Sequence, residues 1–316
     1  MTDVIPIPGS EPLRVERPAL GYAMALAAAA LFGFNGAVIK VALGDGMSAY
    51  RLAELRCLFS FVVFVLIVAA WRPQRLRVSG RELIYLAIFG ACAVVLTQLL
   101  YVLALRRLKI GVALVLIFLG PLLVALWARF VGKRQVRQRF WMALGLSLVG
   151  LVLVVRVWDR FSLDGLGVAF ALCGAAAYAL YVPYAEHAVG RRDPISLLCF
   201  GFLFACLLWT IVQPWWSLPW HVLSTDVSLD GNLAGTSVPE WALVAWVVVL
   251  GTVVPFILVV GALQHLPATR VAICGMLEPV VATVVAYGWL DETLTPAQLL
   301  GGLLVLAAIA LAQTAR

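Results

Sequence analysis

Ten runs of about twenty apolar residues, each closed by charges, prolines or glycines, follow one another from residue 19 to residue 314. An apolar helix needs roughly 20 residues to cross about 30 Å of hydrocarbon, so runs of this length are read as membrane spans. They fall at 19–40, 48–71, 82–104, 110–131, 139–157, 164–186, 194–217, 240–263, 268–289 and 296–314. Composition agrees: 64% hydrophobic residues against 12% charged, with a mean hydropathy of +1.03, is more apolar surface than a water-soluble fold of 316 residues hides. The expected fold class is an all-α polytopic membrane protein of ten transmembrane helices.

Charge placement gives an expected orientation. A net charge of +7 would point to nucleic acid in a soluble protein, but here the basic residues gather in short loops between spans, where they orient the chain. Nucleic-acid binding is therefore not expected. With the N-terminal tail (residues 1–18) in the cytoplasm, fifteen of the 23 Lys and Arg fall inside and seven outside, and Arg56 lies within the second span. The long polar stretch Leu218 to Glu240 contains no Lys or Arg and lands outside. The expectation is a multi-pass protein of the cell inner membrane with both termini cytoplasmic, surrounded by membrane lipids. Its polar head carries acids and prolines and runs directly into a full-length span, so the first helix is expected to be retained.

The chain also aligns with itself. Ala104-Leu105 meets Ala262-Leu263 at an offset of 158, and the register holds through Pro121 and Pro279 to Leu153 and Leu311. Gly21, Ala23 and Ala25 meet Gly167, Ala169 and Ala171 at an offset of 146, and the 12-residue difference is absorbed by the long 218–240 loop. The chain therefore divides into two halves, 19–157 and 164–314, of five spans each. An odd number of spans sends the second half into the membrane in the opposite sense, which makes an inverted repeat with a site between the halves that can face either side.

Four stretches carry a resemblance to a known family. They are Leu31-Phe32-Gly33-Phe34-Asn35-Gly36 in span 1, Arg56 in span 2, Leu277-Glu278-Pro279, and Tyr287 to Pro296 followed by Gly301-Gly302. Together they resemble the EamA-type transporters of the drug/metabolite transporter superfamily, over roughly residues 19–314. The first half departs from the pattern at Gly132-Lys133-Arg134, where the family usually has Gly-Glu-Arg. The resemblance implies a secondary transporter working by alternating access and exporting small amphipathic metabolites such as amino acids. An uptake permease or facilitator of the same fold is the alternative.

Particular side chains give that expectation a site. Glu278 is a carboxylate within an apolar span, costly unless paired, hydrated or protonated, and its repeat partner is Gly120. It reads as a proton-linked or solute-facing group, or else as a carboxylate locking the backbone opened by Pro279. Tyr178, Tyr181 and Tyr184 recur at three-residue spacing on one helix face, offering phenol rings and hydroxyls to a small solute, or simply an aromatic packing stripe. Gln98 and Tyr101 share a face of span 3, and Asn35 lies in span 1; buried amides commonly hydrogen-bond to neighbouring helices. The expected cavity residues are Asn35, Gln98, Tyr101, Tyr178, Tyr181 and Glu278. Glu54 is expected to pair with Arg51, while Arg56 points elsewhere and needs a carboxylate, a carbonyl or water, so Glu54 and Arg56 read as gating or structural charges. Prolines 121, 183, 255 and 279 are expected to interrupt their helices near mid-depth.

Other chemistries find no foothold in the sequence. The six cysteines fall in apolar segments without metal-ligand spacing and read as small core residues. His187, His221 and His265 are scattered, so neither a metal site nor a membrane enzyme acting on lipid-linked substrates is expected. A channel would call for rings of charge or a carbonyl filter. No Walker-type glycine loop is present to couple ATP, and no cofactor is expected. Proton coupling is a possible partner reaction of Glu278, and the chain is expected as a monomer or homodimer.

Overall fold

The computed structural model describes residues 17–44, 47–71, 73–76, 78, 80–90, 95–105, 107–108, 110–133, 137–156, 164–189, 193–214, 216 and 220–314. The N-terminal tail to residue 16 and Cys92 lie outside the described residues, as do the side chains of Gln98 and His187. The first half begins with α1 (Pro18–Ala42) and α2 (Ala49–Trp71). Span 3 comprises α3 (Gly80–Phe89) and α4 (Thr97–Leu105), span 4 comprises α5 (Ile110–Ile117) and α6 (Gly120–Phe130), and α7 (Gln138–Val155) closes the half. The second half runs α8 (Gly165–Ala188), α9 (Pro194–Val212), α10 (Glu240–Val248) with α11 (Val254–Ala262), α12 (Ala268–Gly275) with α13 (Glu278–Trp289), and α14 (Pro296–Thr314). Among the described residues, seven spans are long and apolar enough to cross a membrane; 115–130 and 296–312 are shorter apolar helices.

Local chemistry sets the helix starts. The Asp164 carboxylate accepts from the Gly167 N–H at 2.7 Å and Asp193 from the Ser196 N–H at 3.0 Å, each satisfying a donor that a helix N-terminus leaves open. Pro18, Pro194 and Pro296 each occupy the first helical position, where no N–H is needed.

The two halves are interrupted in the same places. Span 8 widens into a π-type turn at Val249–Val253, and span 3 has the same widened turn at Gly90 and at Val95–Leu96. Span 4 breaks at Phe118-Leu119 just before Gly120-Pro121, and span 9 breaks at Met276-Leu277 just before Glu278-Pro279. Past each broken span the chain leaves through one left-handed residue, Lys133 (φ 49°) and Asp291 (φ 57°), again 158 apart.

Two expectations need correction. Pro183 does not interrupt span 6, because α8 continues through it to Ala188 with α3, α4, α5 and α6 packed alongside to hold the turn. Pro255 falls in the first turn of α11, directly after the widened segment, just as Pro121 and Pro279 fall in the first turn after their breaks. The cysteines also divide: Cys57, Cys199 and Cys274 are buried, but Cys173 is exposed beside Leu172 on the outward face of α8.

Packing interlocks the halves. The first helix of each half lies against the third and fourth spans of the other: α1 against α10, α11, α12 and α13, and α8 against α4, α5 and α6. Repeat partners also meet directly, α2 with α9 and α7 with α14. Between α7 and α14 the backbones touch, since a Cβ on Gly150 would stand 2.7 Å from the Gly301 carbonyl oxygen. Close approach through small residues is how helices associate where lipid removes the hydrophobic incentive.

The 218–240 stretch is more ordered than a plain loop. Strands β1 (Asp226–Ser228) and β2 (Ser237–Pro239) form an antiparallel hairpin with Val227 opposite Val238. Its tip docks on the end of span 9: Asn232 Nδ2 donates to the Gly288 carbonyl at 3.0 Å, and the Trp289 indole donates to the Leu229 carbonyl at 2.8 Å. At the same end, the Lys40 ammonium pairs with Glu292.

Candidate functional site

The broken span 9 places Glu278 in the first turn of α13, at the positive end of a half-helix. Gly33 of α1 allows this turn to come close, because a Cβ there would lie 2.6 Å from the Glu278 carbonyl oxygen and 3.0 Å from the Ala282 nitrogen. The absence of a side chain at Gly33 thus brings helices of opposite halves into backbone contact at the break.

Around Glu278 the structure gathers residues from both halves. Arg56 of α2 interacts electrostatically with Glu278 and donates from Nε to the Thr252 hydroxyl. Tyr101 of α4 and Tyr178 and Tyr181 of α8 are also within electrostatic reach of the carboxylate. The Tyr178 and Tyr181 rings meet edge to face, 5.4 Å apart at 89°, which suits the opposite polarity of ring edge and ring face. Tyr178 also lies over Gly120, where a Cβ would come within 2.7 Å of its ring. The residue that is Glu278 in one half and Gly120 in the other therefore faces the same cluster from both sides.

Asn35 is 3% exposed and sits on the widened turn of span 8, so close to Gly251 that a Cβ on that glycine would overlap the amide. Its Oδ1 has no hydrogen-bond partner among the described residues. A buried acceptor without a donor costs free energy, so an arriving N–H or ammonium group gains by meeting it. Toward the hairpin end, Phe34 lies between Trp246 and Trp289, with ring centroids 5.3 Å and 5.6 Å away.

Other predicted positions stand apart from this cluster. Glu54 pairs with Arg51 at 2.9 Å, and Arg51 also donates to the Pro214 carbonyl, which ties the start of α2 to the end of α9. Tyr184 leaves the tyrosine row: its ring stacks on Tyr85 and its hydroxyl donates to the Tyr85 carbonyl. The Gln98 side chain is outside the described residues.

The EamA-like transporter family model matches residues 19–156 and again 165–314, once on each half. The chain belongs to the EamA-like transporter family. Among relatives of this EamA protein, the threonine/homoserine exporter RhtA of Escherichia coli is 28% identical over 276 residues, covering 86% of this chain and 82% of the exporter. An uncharacterized transporter of Archaeoglobus fulgidus is 26% identical over 297 residues, covering 92% of this chain and 96% of the relative. A solved crystal structure shares the fold with a TM-score of 0.73 at 17% identity, over 94% of this chain and 97% of the other. The EamA chain is thus a multi-pass membrane transporter, all-α and built from two repeats.

Three residues of the cluster escape sequence reasoning. Thr252 and Gly251 sit in an apolar run that gives no hint of a widened turn, since π-type turns have no residue signature of their own. Gly33 is visible only as part of a glycine-containing segment; its role depends on a helix from the other half. The one usable signal was the register itself, which places Thr252 one residue from Val253, the position pairing with Val95 in the first half's own bend.

Proposed function

We propose that this protein is a secondary transporter of the cell inner membrane, with both termini cytoplasmic, that exports small amphipathic metabolites, amino acids or close relatives, by alternating access. The observation that carries this reading is the gathering of Arg56, Tyr101, Tyr178 and Tyr181 around Glu278, at the level where both halves interrupt their third and fourth spans. Interrupted spans expose helix ends and freed carbonyls to a solute between inverted repeats. The charges suit a zwitterion: Arg56 attracts a carboxylate, Glu278 and the Asn35 carbonyl oxygen attract an ammonium, and the phenol rings accept an apolar side chain. The exporter named for threonine and homoserine supports both the amino-acid class and the outward direction. Glu278 is the group through which a proton would be exchanged against solute, because one bound proton removes its attraction for both Arg56 and the solute.

The test is flux of threonine, homoserine and larger amino acids in proteoliposomes holding the purified protein, with and without an imposed pH gradient. Saturable flux that depends on the gradient is expected. Saturable flux indifferent to the gradient would make the protein a facilitator, and no flux of any amino acid would overturn the substrate class.

A further inference from the structure

Thr252 is fully buried in the widened turn of span 8, and its hydroxyl does two jobs. It accepts from Arg56 Nε and donates to the Val247 carbonyl at 2.7 Å, five residues earlier. Two other helix threonines show what an ordinary turn would do: Thr210 donates to Cys206 and Thr283 to Pro279, each four residues back. The five-residue reach of Thr252 is therefore a property of the widened turn. One extra residue in a turn rotates the remainder of the helix by about 100°, since a regular helix advances one turn per about 3.6 residues. The bulge thus aims the hydroxyl and leaves its lone pair directed at a guanidinium from the other half.

Arg56 ends in a guanidinium on a long side chain with many rotamers. Its helix, α2, carries it with Cys57 and Leu55 as neighbours in sequence, and a long side chain loses considerable rotamer freedom when confined. The Thr252 hydroxyl engages Nε, one of the five N–H donors of the planar guanidinium, and so restrains the plane in which the terminal nitrogens lie. By the repeat register the mate of Thr252 is Val94 and the mate of Arg56 is Phe202, side chains with no polar group to form such a bond.

We infer that Thr252 is a positioning residue for transport, holding Arg56 of the first half in register with Glu278 of the second through a hydroxyl that the widened turn of span 8 presents. The inference rests on the reading of Arg56 and Glu278 as solute-facing charges. Because Arg56 and Thr252 belong to different halves, the bond also lies across the surface along which the halves move.

The experiment compares wild type, Thr252→Ser, Thr252→Val, Arg56→Gln and the Thr252→Val/Arg56→Gln pair in the same proteoliposome flux assay, with melting temperatures of each protein in detergent. Thr252→Ala replaces Thr252→Val if the valine variant does not purify as folded protein. Removing the hydroxyl is expected to raise KM about tenfold, the loss of one hydrogen bond to a charged group. Thr252→Ser should stay within about twofold of wild type, and the pair should be no worse than Arg56→Gln alone, because interactions through a shared partner are not additive. The inference is overturned if Thr252→Val lowers the melting temperature yet leaves KM unchanged, if Thr252→Ser is as impaired as Thr252→Val, or if the losses in the pair multiply. Absence of flux in the wild type would instead overturn the reading of the site, before any variant is compared.

Discussion

The third and fourth spans of the two halves share a backbone and differ in chemistry. Among the described residues, each pair widens, breaks before a proline and exits through a left-handed residue, at positions that correspond in the repeat register. In the second half the break presents Glu278 within electrostatic reach of Arg56, which bonds to Thr252 in the widened turn on which Asn35 also rests. In the first half the matching position is Gly120, filled from the other side by the Tyr178 ring. The two repeats thus carry corresponding interruptions, one edged by charge and the other by an aromatic ring. On the proposed function, the paired interruptions would open backbone to a solute from both halves, and the two unlike edges would supply its recognition.

Four expected outcomes sharpen or break this contrast. Glu278→Gln strikes the charged edge and should have the largest effect. Truncating one partner of a desolvated charge pair costs about 2–5 kcal/mol, which corresponds to at least about thirtyfold in flux measured as Vmax/KM. A variant with unaltered flux would reduce Glu278 to a structural carboxylate and end the contrast.

Gly33→Ala and Gly120→Ala compare the two edges by rigidity. The new methyl at Gly33 meets backbone atoms of α13 and cannot be accommodated by rotating a side chain, so destabilisation of about 1–3 kcal/mol is expected, seen as a lower melting temperature in detergent. At Gly120 the obstacle is a side chain, that of Tyr178, rather than backbone, and the loss should be smaller. Equal losses would show that the aromatic edge is as immobile as the charged one.

Tyr178→Leu tests the aromatic edge directly. The edge-to-face pairing with Tyr181 is worth about 0.5–1.5 kcal/mol beyond burial, so KM for an amino acid with an apolar side chain should rise by roughly two- to tenfold while the response to a pH gradient is retained. Loss of the gradient response in this variant would merge the two edges into one functional unit. The smallest effect is expected from Lys40→Gln. The Lys40–Glu292 pair is exposed on both sides, and such pairs contribute about 0.2–1 kcal/mol, so melting should shift little and flux should not change. A large change in flux would mean that the hairpin end, where Asn232 and Trp289 fasten the loop to span 9, takes part in gating.

Much of the fold was legible because it depends on local quantities. Hydropathy over twenty residues marks a span, and the constant offset between Pro121 and Pro279 marks a duplication, so neither needs a knowledge of neighbours. Pro183 shows the limit of such reasoning: a proline is a local fact, but whether a helix breaks there depends on what packs alongside, and α8 does not break. The β-hairpin within 218–240 was equally invisible, because its three-residue strands are held by contacts to span 9 rather than by their own β-propensity.

The site divides along the same line. A carboxylate at Glu278 in an apolar run, and tyrosines three residues apart, are conspicuous along the chain, and the ion pair between Arg51 and Glu54 follows from helical spacing alone. The order of amino acids was enough to mark an all-α, multi-pass membrane protein in two related halves, with a few polar groups that are costly to bury. Which of those groups meet was settled by the three-dimensional packing. Asn35 rests on Gly251, Arg56 is held by Thr252, and Tyr178 covers Gly120 because each half inserts its first helices into the other, and pairings between residues far apart along the chain leave no trace in local sequence.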